Sequence, residues 1–161
     1  MDAAPITRID VLAPISGRVV PIEAVPDPVF AERMLGEGIA IEPSEGVAVA
    51  PVSGTLIVFH SAGHAFAIQE ETSGVGVLVH VGLDTVELKG RGFERLAEQG
   101  DVVRAGQTLL RFDLETIAAA GFSIVSPIVL PELDASYRVA LTTAAEVIAG
   151  RDVLLTVVPA G

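Results

Sequence analysis

Three histidines, His60, His64 and His80, are the side chains best suited to chemistry near neutral pH. The chain has no cysteine and a single tyrosine, so an imidazole is the natural candidate for a nucleophile or a proton-transfer group. His80 lies in Gly76-Val77-Leu78-Val79-His80-Val81-Gly82, an otherwise apolar run. Partial burial there disfavours the imidazolium, keeping the ring neutral with a lone pair on one nitrogen. Gly82 allows a backbone segment or a bulky group to come close beside it. Two readings are open for His80: a satisfied core residue or a nucleophile. His64 follows Gly63 and precedes another apolar run, where a loop can aim it, whereas His60 reads as a solvated loop residue. Beyond His80, Asp84 and Thr85 have the chemistry of turn or cap residues whose side chains bond nearby N–H groups. Asp84 is equally placed to orient the imidazole or accept its proton.

The elements that must position these rings are strands. The chain has 161 residues, enough for one domain with its own core, and no linker or charge run divides it. Its 16 glycines and 10 prolines break up runs rich in Val, Ile and Leu, the pattern of many short strands. This predicts an all-β fold, a sandwich or a barrel, with a duplicated hairpin motif and short helical turns. Strands are expected at Ile9–Leu12, Gly17–Pro21, Gly38–Glu42, Val47–Ala50, Gly54–Phe59, Ala65–Glu70, Gly76–Val81, Thr108–Asp113, Ile128–Leu130 and Val153–Val157. Helical turns are expected at Pro28–Met34 and Leu114–Ala119, the second stopped at Gly121. The duplication shows as Ala13-Pro14-Ile15-Ser16-Gly17 recurring as Ala50-Pro51-Val52-Ser53-Gly54, with a fainter Ser126-Pro127-Ile128. In each unit Pro fixes φ, Ser is expected to bond its own backbone, and Gly to permit a turn with positive φ. Residues 1–10 are expected to form an N-terminal leader and residues 11–161 the domain.

Composition removes several function classes. Without cysteine there are no disulfides, thiolate metal sites or cysteine nucleophiles, which fits a reducing compartment. A net charge of −11 argues against nucleic acid or an anionic membrane surface as a partner, since both need clustered Lys and Arg. The uncharged stretch from Ile117 to Pro131 is too short and too broken by Gly121 and Pro127 to span a bilayer. The first ten residues lack the basic and apolar regions of a secretory signal. A cytoplasmic protein is expected.

The segment Val79-His80-Val81-Gly82-Leu83-Asp84-Thr85-Val86-Glu87-Leu88-Lys89-Gly90-x-Gly92-Phe93 resembles the phosphohistidine motif of the glucose-type enzyme IIA of the bacterial phosphoenolpyruvate:sugar phosphotransferase system. Ala13-Pro14-x-Ser16-Gly17, Val25-Pro26-Asp27-x-Val29-Phe30, Ala50-Pro51-Val52-x-Gly54-Thr55, His64-Ala65-Phe66-x-Ile68 and Phe112-Asp113-Leu114 are similar to that family in the same order. The resemblance implies a β-sandwich, its duplicated hairpin barrel-sandwich-hybrid-like, and a phosphotransferase that carries a phosphoryl group in sugar uptake. His80 would be phosphorylated and His64 would hydrogen-bond the phosphoryl group. Val29, Phe30 and Leu78 would form an apolar rim, with Gly82 and Asp84 beside the pair. The implied donor is the histidine phosphocarrier protein HPr. The implied acceptor is a cysteine of an enzyme IIB domain of a sugar permease, through which alone the chain would meet the membrane. No metal and no cofactor is expected. The chain departs from the family at Ala62, where Thr is common, and at Leu78, where some members have Phe.

Other readings fit less of the sequence. A regulatory binding protein would use the same histidine face, in some relatives with zinc between partners. A zinc peptidase of the lysostaphin type would use His80-x-x-x-Asp84, but the His-x-His it also needs does not occur. A biotinyl or lipoyl carrier needs a lysine on a hairpin tip, and the single lysine, Lys89, lacks the expected flanking residues.

Overall fold

A computed structural model of the protein describes residues 8–160. In chain order its strands are β1 (Ile9–Leu12), β2 (Gly17–Pro21), β3 (Glu37–Pro43), β4 (Val47–Val49), β5 (Gly54–Phe59), β6 (Ala65–Glu70) and β7 (Gly76–His80). They continue as β8 (Phe93–Arg95), β9 (Val102–Val103), β10 (Thr108–Phe112), β11 (Ser126–Leu130), β12 (Tyr137–Leu141), β13 (Glu146–Val147) and β14 (Val153–Pro159). Two short helices, α1 (Pro28–Ala31) and α2 (Leu114–Ala119), and 3-10 turns at Ile22–Ala24 and Thr85–Leu88 complete the elements. No helix among the described residues is long and apolar enough to cross a membrane. β1 starts at Ile9, paired with Val157. The last residues of the segment expected as a leader are therefore in a sheet, and residues 1–7 lie outside the described part.

The strands form a β-sandwich of antiparallel sheets, none closed into a barrel. The largest has the order β13-β2-β3-β11-β7-β6-β5-β9, and two smaller ones have the orders β1-β14-β12 and β4-β10-β8. Alternation along the central strands sends their side chains to two different cores. Ile39, Ile41, Val77, Val79, Ile128 and Leu130 join the main core shared with the smaller sheets, which supply Val11, Leu109, Leu110, Leu154 and Val157. Ala40 and Val129, with Leu78 packed against them, face the other way and meet Ile22, Val25, Phe30 and Leu83 in a smaller cluster. That outer face carries His80.

The repeat seen in the sequence is a structural duplication. β2 with β3 corresponds to β5 with β6, and β13 on β2 corresponds to β9 on β5, so the large sheet reads alike from both edges. The two copies exchange equivalent bonds: Leu12 N–H donates to the Pro51 carbonyl and Val49 N–H to the Pro14 carbonyl, at 2.9 and 2.8 Å. In the fainter third unit Ser126 bonds nearby backbone as expected, donating to the Ile124 carbonyl at 2.9 Å, but the serines of the first two units do not. Their hydroxyls do not close local turns but accept distant N–H groups, Ser16 from Ala149 and Ser53 from Ala105, each at 2.9 Å. Of the glycines, Gly17 has the expected positive φ, at 157°, and Gly54 does not, and both serve close approach. A Cβ on Gly17 or Gly54 would lie 2.1 or 1.9 Å from the carbonyl oxygen of Glu42 or Gln69.

Helix α1 ends at Ala31, earlier than the expected Met34, because Arg33 turns left-handed at φ 58°. Its guanidinium bonds both Glu23 and Glu37, tying together the two ends of the connection 22–36. The strands β8, β9, β12 and β13 were not among the sequence expectations.

Candidate functional site

The hairpin register brings the histidines together. Ala65 of β6 pairs with His80 of β7, and Val81 N–H donates to the His64 carbonyl at 2.7 Å. A regular strand would send His64 to the face opposite its neighbour Ala65, and so away from His80. The strand instead begins at Ala65, and the preceding turn, with Gly63 at φ 90°, swings His64 round. The His64 and His80 rings end with centroids 5.3 Å apart, tilted by 71°.

His80 is half-buried, and its Nδ1 lies 2.6 Å from the Gly82 carbonyl oxygen. A carbonyl only accepts, so Nδ1 carries the hydrogen and the lone pair sits on Nε2. The backbone around this contact is locked. Gly82 N–H donates to Ser126 Oγ at 3.1 Å, Leu83 N–H to the Ser123 carbonyl at 3.0 Å, and the Thr85 hydroxyl to the Val81 carbonyl at 2.6 Å. Gly82 itself has φ 72°, and a Cβ there would lie 2.6 Å from Thr85 Cγ2. Gly82 thus serves the site through its carbonyl and its backbone shape.

Asp84 and Thr85 are arranged differently from the sequence reading. Thr85 donates to a carbonyl instead of accepting an N–H, and Asp84 makes no capping bond although it precedes the 3-10 turn. Asp84 is exposed, and Nδ1 of His80 faces the Gly82 carbonyl rather than a carboxylate. What Asp84 supplies is charge. Burial pushes the His80 pKa below its ordinary value, while the Gly82 bond and the carboxylates of Asp27 and Asp84 oppose that fall, and His60 adds to it. Asp27 was not singled out as a site residue, although Asp27-Pro28 is a legible helix start. Its side chain caps α1 by accepting Val29 N–H at 3.0 Å.

The expected rim divides in two. Phe30 is buried, its ring centroid 5.4 Å from that of His80, whereas Val29 beside it is exposed. Leu78, two residues before His80 on β7, lies on the same face in the small outer cluster. Phe30 and Leu78 make one flank of His80 apolar.

His64 is 5% exposed, and its Nδ1 is buried without a hydrogen-bond partner. Burial first, then the charges that His80 and His60 would share with it, push its pKa down to about 4. It is therefore a neutral ring at physiological pH. This depression makes folding sensitive to acid. The unfolded chain binds protons at His64 from about pH 6.5 downward and the fold does not until about pH 4. The stabilisation from a neutral His64 is complete above the unfolded value and is lost as pH falls through that window, up to about 3 kcal/mol. His80 shifts in the same direction. Urea unfolding at several pH values should show wild-type protein losing more stability on acidification than His64→Gln; parallel losses would contradict the assignment.

His60 was expected to be a solvated loop residue. It is exposed, but its ring also packs on His64, with centroids 4.2 Å apart.

Known proteins resemble this chain over most of its length. Residues 9–135 match the family described as phosphoenolpyruvate-dependent sugar phosphotransferase system, EIIA 1. The PTS system glucose-specific EIIA component of Oceanobacillus iheyensis is 39% identical over 151 residues, 94% of this chain and 91% of that one. The PTS system N-acetylglucosamine-specific EIICBA component of Klebsiella pneumoniae is 39% identical over 140 residues, 87% of this chain but 21% of that longer one. The solved structure of glucose permease IIA from Mycoplasma capricolum superposes with a TM-score of 0.86 at 39% identity, covering 94% of this chain and 96% of that one.

Proposed function

Because the chain belongs to the EIIA 1 family of the phosphoenolpyruvate-dependent sugar phosphotransferase system, whose members are phosphotransferase components, we propose that it carries a phosphoryl group on Nε2 of His80. The contact between Nδ1 and the Gly82 carbonyl is the observation that supports this most directly, because it leaves Nε2 as the nucleophile. The donor is the phosphohistidine of HPr. The Nε2 lone pair attacks phosphorus, the Nε2–P bond forms as the donor's N–P bond breaks, and the electron pair returns to the donor imidazole. The Nδ1–H stays on His80 throughout, held by Gly82.

In the second step a cysteine thiolate of an enzyme IIB domain attacks the same phosphorus. The P–S bond forms while the Nε2–P bond breaks and its electrons return to His80. Such transfers depend on positioning and on stabilising charge on the phosphoryl oxygens. The neutral His64 ring supplies a donor through Nε2, since its Nδ1 is sealed in the protein. Phe30, Val29 and Leu78 exclude water that would hydrolyse the phosphoimidazole. The Klebsiella relative supports an enzyme IIB partner, its name placing A alongside B and C in one component. The proposed place of action is the cytoplasm, at the permease.

Incubation with phosphoenolpyruvate, enzyme I and HPr should add one acid-labile, base-stable phosphate to each chain. Addition of an enzyme IIB domain should then remove it. An acid-stable phosphate, or one that no enzyme IIB can draw off, would refute the carrier reading.

A further inference from the structure

The turn 60–64 folds about its first residue. His60 N–H donates to the Ala65 carbonyl at 2.9 Å, Gly63 N–H donates to the His60 carbonyl at 2.8 Å, and Ala62 N–H donates to Nδ1 of the His60 ring at 3.1 Å. The last bond is a side chain closing on the N–H two residues ahead, the kind of local bond by which Asn and Asp shape turns. It fixes where the His60 ring lies. That place is against His64, with ring centroids 4.2 Å apart and a tilt of 55°.

His64 needs such support. An imidazole that works through one nitrogen is usually oriented by a hydrogen bond at the other, as His80 is by Gly82. At His64 that other nitrogen, Nδ1, has no partner. Packing rather than a hydrogen bond at Nδ1 then sets the angle of this buried side chain, and His60 and His80 are the two imidazoles packed against it.

We propose that His60 is a third histidine of the site, a positioning residue whose ring holds the His64 imidazole at the angle from which it meets the phosphoryl group; the proposal rests on the carrier role of His80. It acts through its ring face rather than through a proton. Its Nδ1 is engaged by Ala62, and contact with His64 needs only an aromatic disc of similar size. His60 thereby performs a task that hydrogen bonding performs at His80.

Two substitutions separate the ring from the turn. His60→Asn retains an acceptor for Ala62 N–H and removes the ring, whereas His60→Phe retains a ring and removes the acceptor. Each is loaded from HPr and mixed rapidly with enzyme IIB, and proton NMR follows the cross-relaxation between the His64 and His80 rings. In His60→Asn, transfer to enzyme IIB should slow about tenfold, the scale of a small misplacement of a positioned group, and the ring-to-ring signal should weaken. His60→Phe should recover most of the rate and the signal. A wild-type rate and signal in His60→Asn would overturn the proposal, as would His60→Phe falling as far as His60→Asn. The NMR signal needs no phosphate, so it judges the positioning role even if another residue proves to carry the group, an error that wild-type loading would reveal separately.

Discussion

Glutamine in place of His80 is expected to reduce phosphate uptake from HPr from one group per chain to none. The reason is electronic. A glutamine amide nitrogen has its lone pair delocalised into the carbonyl and cannot attack phosphorus, whereas the neutral imidazole offers a localised pair on Nε2. The fold should survive, because Gln can still present an N–H towards the Gly82 carbonyl that Nδ1 now faces at 2.6 Å. Loss of loading with an unchanged melting curve therefore separates chemistry from folding. Phosphate still appearing on His80→Gln would move the nucleophile elsewhere, and mapping the phosphopeptide would say where.

The second large effect belongs to His64. His64→Gln should accept phosphate from HPr, since His80 and its Gly82 contact are untouched, but should pass it to enzyme IIB about 10²- to 10³-fold more slowly. That is the range seen when one preorganised donor to a developing charge is removed. The asymmetry between the two half-reactions is the informative part. A histidine present only for packing would weaken both steps together through a loosened site. Stopped-flow measurement of each half-reaction decides it, and unimpaired transfer to enzyme IIB would remove His64 from the mechanism.

Much of this architecture was legible because turn chemistry brackets apolar runs. The bounds of Gly17–Pro21, Gly54–Phe59 and Ala65–Glu70 coincide with strands β2, β5 and β6, each starting or ending where a glycine, proline or loop stops an apolar stretch. The strands that escaped notice lie at edges. β12 alternates in burial from Tyr137 to Ala140, but the apolar run Val139-Ala140-Leu141 hides that period in the sequence, and β8 holds Glu94 and Arg95 side by side in the open. The duplication had a second, unread signature. Val103-Arg104-Ala105-Gly106 and Val147-Ile148-Ala149-Gly150 hold the alanines whose N–H groups bond Ser53 and Ser16.

At the site, motif order was enough to single out the His64–His80 pair, but not the contacts around it. The Gly82 carbonyl bond depends on a left-handed residue whose geometry composition does not reveal. Ser126, far along the chain, reaches Gly82 only through the pairing of β11 with β7. His60 is the exposed loop residue expected, and what the sequence did not show is its ring contact with His64. Its spacing of four from His64 is plain in the sequence, yet a turn, not a helix, makes the two rings neighbours.

The carboxylates of Asp27 and Asp84, whose charges are felt at His80, have a consequence for turnover on the proposed reading. Two negative charges that favour a cation in the bare site repel the phosphoryl dianion once it has arrived. The cargo is seated in a shallow well, and a shuttle between two partners works only if its own grip is weaker than the next hand's.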